Sequence, residues 1–389
     1  MSPNMVSSVP ERIRDAAIRA GERAQEIEQG RQLPADLVAD IASTGAFKLT
    51  VAKTFGGSQA PMQDVLDAIE LFSYHDGASG WCVMIANTTA TLSGWIDPIW
   101  AEQLFGPDNA IGGGHAAPQG RGIVVDGGIR VTGKWEWGSG SSHCTAMAGG
   151  VFVVDDEGAP AKTSSGASVM LAFFDDDDVE LLDTWHVAGM KGTASTDYRV
   201  TDAFVPEGRW ADVVPLNGGT PLVDDPLYHF PFYGNFAVSV AAVMLGLAAR
   251  AVDELALLGE KKPANSRRSL SDKSAARSEI ASADAAVRMA RALMREAVGD
   301  AWQAAQDGTL NVEHRRLLRL AASAASERCQ FAIATCFGTA GGTAVYETSP
   351  LQRVQRDAMV AAQHAMIGRT QLERVGALQF GAEIDLRGF

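Results

Sequence analysis

The texture of this chain changes twice, from helical to strand-like and back to helical, and that double change limits its folds more than any other feature. From about residue 8 to 108, apolar side chains recur every three or four positions: Ile13, Ala16, Ala17 and Ala20, then Leu37, Ile41 and Ala42 after Pro34. Such spacing predicts helices with one buried face. Segments 64–74 and 79–92 read as two more, joined by a turn at His75-Asp76-Gly77. The second is apolar nearly all round and is therefore expected to be enclosed. From about 110 to 215 the texture changes to strands. Ile123-Val124-Val125 and Ile129-Arg130-Val131 flank Asp126-Gly127-Gly128, which signals a hairpin. Further runs at 147–154, 169–174 and 198–205 follow without helices between them. They predict an antiparallel barrel or sandwich. Past about 230 the helical period returns in four long stretches, roughly 235–259, 272–300, 311–336 and 350–380. Their frequent alanines permit the close approach of a four-helix bundle. The expected organisation is an all-α domain over 1–108, a β domain over 109–228 and a bundle over 229–389.

Composition removes several function classes. A formal charge of -14 argues against a nucleic-acid backbone as partner. The four cysteines are scattered with no CxxC pair, so neither a zinc site nor a disulfide framework is expected. No apolar leader precedes the first charges, and the longest apolar run, 237–249, falls short of the roughly 20 residues that span a bilayer. A cytoplasmic protein with no membrane and no metal is the expectation.

Four sequence words in this order resemble the acyl-CoA dehydrogenase superfamily. They are KTFGG (53–57), GKWEWGSG (133–140), GMKGTASTDYRVTDAFVPEGR (189–209) and GGTAVYETSPLQRVQRDA (341–358). Together they cover nearly the whole chain. The resemblance implies that the second and third words are strands lying against a flavin ring, which needs an aromatic or apolar wall and a polar group near N5. Trp137, Gly138, Ser139, Lys191, Thr193 and Ser195 are the expected flavin-side residues. Trp137 and Ser139 flank Gly138 along a strand, so both are expected on one face, with the glycine admitting the ring.

A dehydrogenase of this kind needs a carboxylate to take a carbon-bound proton. Counted from Arg356-Asp357, the usual place of that acid holds Ala365, beside His364. The alternative place, counted back from Leu245-Gly246-Leu247-Ala248, reads Asn235-Phe236-Ala237. Glu254, further along, is expected at the surface. Three other words resemble the reduced-flavin monooxygenase branch: SYHDGASGWCVM (73–84), WGSGSSHC (137–144) and PLQRVQRDAMVAAQH (350–364). That branch implies hydroxylation of a small aromatic or other organic substrate through a flavin C4a-hydroperoxide, with molecular oxygen as co-substrate. It implies a separate reductase that supplies reduced FMN or FAD. It also implies a homotetramer. Ser139 is the expected donor to the flavin, and His364 the base or the group that orients oxygen. His115, in GGGHAAP, is a further catalytic candidate. Trp81, Met84, Phe232, Phe236 and Met366 are expected to line the substrate pocket. SRRSLSDKSAARSEI (266–280) lacks the Phe-Gly with which dehydrogenases hold FAD adenosine, leaving Arg267, Arg268 or Arg277 as the candidate phosphate contact. The alternatives are a dehydrogenase or oxidase with a displaced base, and a flavin-free scaffold relative.

Overall fold

The computed structural model of the chain describes residues 9–213, 219–262, 267–386, 388 and 389. The N-terminal residues 1–8, together with Pro263 and Ser266, lie outside the described residues. Six helices come first: α1 (Glu11–Glu22), α2 (Ala24–Gly30), α3 (Ala35–Ser43), α4 (Met62–His75), α5 (Gly77–Ala90) and α6 (Pro98–Phe105). α1 buries the four residues whose spacing announced it, Ile13, Ala16, Ala17 and Ala20. α4 and α5 are separated by Asp76 alone, whose extended backbone and carboxylate cap α5 through Ser79 N–H at 2.7 Å. α5 is enclosed on all faces, as its composition requires.

Among the described residues seven strands form one sheet: β1 (Gly112–Val125), β2 (Gly128–Gly138), β3 (Ala146–Val154), β4 (Val169–Phe173), β5 (Glu180–Leu182), β6 (Thr196–Pro206) and β7 (Trp210–Asp212). Their spatial order is β5-β6-β2-β1-β3-β4-β7. The β1–β2 hairpin closes at Asp126-Gly127, with Gly127 at φ 76°. The expectation of a wholly antiparallel sheet is corrected. β1 and β3 run parallel, from Gly112 opposite Ala146 to Ile123 opposite Val154. β2 occupies one side of β1, and residues 139–145 carry the chain across to the other side, where β3 starts level with β1. The sheet encloses its own core, in which Trp135 stacks on Tyr198 with ring centres 5.2 Å apart.

Then follow α7 (Pro226–His229), α8 (Phe232–Leu257), α9 (Ser274–Gln306), α10 (Val312–Ala340), α11 (Pro350–Ala361) and α12 (Arg369–Gln379). α8 is long and apolar enough to cross a membrane, its apolar run reaching beyond 237–249, yet most of it is buried inside the fold. The single helix expected over 350–380 is broken. α11 ends at Ala361, and a short 3-10 turn over Ala365–Ile367 intervenes before α12. His364 breaks it by leaving the helical region at ψ 130° and accepting Met366 N–H on its own ring.

Candidate functional site

Where α5, the start of β1 and the start of α8 meet, they enclose a small apolar cavity. α5 contributes Ile85, Thr88 and Thr89, β1 contributes Gly113 to Ala116, and α8 contributes Phe232 and Phe236. Ala148 and Leu171 form its sheet side. Among the described residues, no Asp or Glu lines it. β1 is irregular here, with register shifts between His115 and Pro118 and again before Gly120. Pro118 has no N–H to give the ladder, and such breaks re-aim side chains. His115 faces the cavity as a result.

His364 lies beside this cavity. Its ring meets Phe236 edge-on at 5.0 Å and Trp81 at 5.6 Å. Burial pushes its imidazole down to about 4, and the neighbouring His115 and Arg319 add to the effect. The ring is therefore neutral at ordinary pH. Nδ1 accepts Met366 N–H at 3.3 Å, so the neutral ring carries its hydrogen on Nε2. In that form Nε2 is a donor and not a base, which favours the orienting role over proton abstraction. His115 is also held below the usual histidine range by burial, with Glu136 opposing.

From Trp81 a row of hydroxyls leads away from the cavity. Trp81 Nε1 donates to Ser139 Oγ at 2.9 Å, Ser139 Oγ is 2.7 Å from Ser195 Oγ, and Ser195 Oγ is 2.6 Å from Thr193 Oγ1. Thr193 donates in turn to the carbonyl of Met190 at 2.9 Å. Each hydroxyl owns one hydrogen, so the carbonyl at the end fixes every link. Thr193 gives its hydrogen to Met190, Ser195 to Thr193, and Ser139 to Ser195. Ser139 is thus left as an acceptor toward anything placed beside it. Around this row three non-glycine residues hold positive φ: Trp137 at 59°, Met190 at 53° and Ala194 at 45°. Strain of that kind persists where surroundings enforce it, and it clusters at ligand-holding turns.

The expected residues fare unequally. Ser139, Thr193 and Ser195 come together, and Trp81 joins them. Trp137 and Ser139 do not share a face: Trp137 is 58% exposed and Ser139 5%. The positive φ at Trp137 and a slip against β6 between Trp135 and Gly138 break the alternation. A Cβ at Gly138 would lie 2.8 Å from the Tyr198 ring, so this glycine is needed by the sheet itself. Lys191 faces Glu28 at 3.7 Å. Arg277 is exposed at the start of α9 and donates to Ser271 O; no described contact joins it to the hydroxyl row. Of the expected pocket residues, Phe232 and Phe236 line the cavity and Trp81 reaches it through His364. Met84 and Met366 do not line it; Met366 packs its sulfur on Arg319 at 3.1 Å. Glu254 is half-buried against Arg250 instead of at the surface. Ile85, Thr88 and Thr89 were missed because α5 is apolar on every face, although two threonines in such a helix were a usable signal.

The profile of the acyl-CoA dehydrogenase C-terminal domain matches residues 238–369. The chain is 30% identical over 371 residues to indole-3-acetate monooxygenase of Pseudomonas putida, covering 94% of this chain and 92% of that protein. It is 28% identical to the oxygenase subunit HsaA of a flavin-dependent monooxygenase from Mycobacterium tuberculosis, covering 88% of each. The crystal structure of 3-HSA hydroxylase from Rhodococcus sp. RHA1 superposes with a TM-score of 0.90 at 27% identity, covering 98% of this chain and 99% of that one.

Proposed function

We propose that this chain, which belongs to the flavin-dependent monooxygenases built on the acyl-CoA dehydrogenase fold, hydroxylates a small, flat aromatic substrate held beside His364. It is an enzyme, the oxygenase component of a two-component system, with flavin as cofactor and oxygen as co-substrate. Such a component works with a separate flavin reductase and a small-molecule substrate.

The position of Trp81 carries the reading. Its ring meets His364 on the cavity side, while its N–H meets Ser139 at the head of the hydroxyl row. The residues fit the reduced form of a flavin. A reduced ring presents N–H at N5 where the oxidised ring presents a lone pair, and charge there differs between the two states. The free lone pair on Ser139 Oγ matches the reduced form. The exposed Trp137 supplies an aromatic surface for the ring. When bound, reduced flavin supplies the electrons and activates the oxygen.

The chain's own residues do the rest. Phe232, Phe236, Ile85 and Leu171 exclude water and hold a flat apolar ring. His364 Nε2–H donates to an oxygen at the reacting centre, and His115 closes the strand side. A carboxylate-dependent dehydrogenation has no support from this cavity, since no acid lines it among the described residues. We read the protein as cytoplasmic and as a tetramer of identical chains. The described cysteines, all free, support the first reading. Apolar side chains exposed on α10 support the second.

His364→Ala tests the proposal. Product formation should fall by about 100-fold or more, the usual weight of a positioned proton donor, while anaerobic titration with reduced FMN should show affinity near wild type. Unchanged product yield would remove His364 from the reaction. Protein that purifies yellow with stoichiometric flavin would favour a dehydrogenase instead.

A further inference from the structure

One buried carboxylate holds the turn that carries the hydroxyl row. Asp357 of α11 is 6% exposed, and its Oδ1 accepts Met190 N–H at 2.5 Å. Met190 adopts φ 53°, a conformation that side chains other than glycine rarely adopt without support. Its carbonyl then receives both Thr193 Oγ1 at 2.9 Å and Trp185 Nε1 at 3.0 Å. Met190 is thus the terminus from which the direction of the row is set. α11 grips the same turn through its backbone and through Arg356. A Cβ at Gly189 would lie 2.2 Å from Arg356 O, and the Arg356 guanidinium donates to Ala188 O at 2.6 Å.

We propose that Asp357 is a positioning residue for the flavin side of the site: by fixing Met190 it orients Thr193, Ser195 and Ser139, and its charge adjusts how tightly reduced flavin is held. The proposal rests on reading the hydroxyl row as the flavin side.

The charged groups around Asp357 come from four elements. Asp76, buried at the cap of α5, precedes Gly77, whose Cβ position lies 3.3 Å from Asp357 Oδ2. Glu28 of α2 pairs with Arg356 at 2.6 Å and with Lys191 of the turn at 3.7 Å. Arg353 and Arg356 stand on α11 itself. Burial pushes the Asp357 carboxyl up to about 7; Asp76 and Glu28 add to this, while Met190 N–H and Arg353 oppose it. A raised carboxyl is ionised above that value and neutral below it. An ionised carboxylate accepts an N–H more strongly than a neutral one. The row is therefore best held on the alkaline side of neutrality.

Anaerobic titration with reduced FMN at about pH 6, 7 and 8 tests this on wild type, Asp357→Asn and Asp357→Ala. The asparagine keeps an acceptor for Met190 N–H but cannot ionise. The affinity ratio of wild type to Asp357→Asn should be near one at low pH and about tenfold at high pH. Taking the ratio cancels the titration of the flavin itself. Asp357→Ala should bind more weakly than both throughout, and hydrogen exchange of residues 187–196 without flavin should be faster in it. A ratio that does not change with pH overturns the proposal, and it can be read on Asp357→Asn alone should the alanine variant not fold. Full reduced-flavin affinity in Ser195→Ala would instead overturn the reading of the row, a distinct result.

Discussion

A hydroxyl group owns one hydrogen, and that count decides what Ser139 offers a ligand. Because its hydrogen points to Ser195, it accepts from Trp81 and from one further donor. The expectation from sequence made Ser139 a donor; the chain of hydroxyls beyond it reverses the sign. Removing the next hydroxyl exposes the effect. In Ser195→Ala the hydrogen of Ser139 loses its acceptor and turns toward the ligand. Affinity for reduced FMN should fall by about tenfold, the worth of one well-made hydrogen bond, whereas affinity for oxidised FMN should not fall. Anaerobic and aerobic titrations of the same preparation measure the pair. An equal loss of both forms would mean that the row does not discriminate between them.

Elements meet in this protein at small residues. α8 crosses α4 at Gly246, where a Cβ would lie 2.3 Å from Glu70 O and 2.7 Å from Ser73 Cβ. The same stretch of α4 holds buried Glu70 on Arg291 of α9 at 2.5 Å. A side chain at 246 would push α8 away from α4 and stretch that ion pair. Gly246→Ala should therefore destabilise by roughly 2 kcal/mol, within the range for overpacking a filled core. Urea unfolding followed by circular dichroism measures it; an unshifted midpoint would show that the crossing can relax. The break between α11 and α12 belongs to this scale as well. A ring that accepts a backbone N–H two residues on replaces the helical bond, and His364 meets the cavity-lining Phe236 beyond the interruption.

For the whole molecule, the outer face of α10 exposes a row of apolar and small side chains. Arg328, Phe331, Ala334 and Gly338 lie on it at helical spacing, and Val345 and Tyr346 follow at the helix end. Arg328 lays its guanidinium over the Phe331 ring, and the rest of the strip is apolar or small, which is costly to leave in water when it forms one patch. If it is where copies of the chain meet, Phe331→Asp with Ala334→Asp should lower the mass seen by light scattering while leaving the helical signal intact. An unchanged mass would place the contact elsewhere.

The sequence by itself determined the order of helical, strand and helical regions, the β1–β2 turn and the enclosure of α5. Each follows from period, turn chemistry or residue type along the chain, all of them local properties. Tertiary structure alone decided that β1 runs parallel to β3, that Trp137 and Ser139 part company and that the last helix breaks at His364. The hydroxyl row it assembles is what lets us infer Ser139 as an acceptor where a donor was expected. Those outcomes depend on contacts between residues far apart in sequence, such as Met190 with Asp357 and Trp81 with Ser139. A strained φ or a hydrogen's direction is fixed only when both partners are in place, so no local pattern could carry the information.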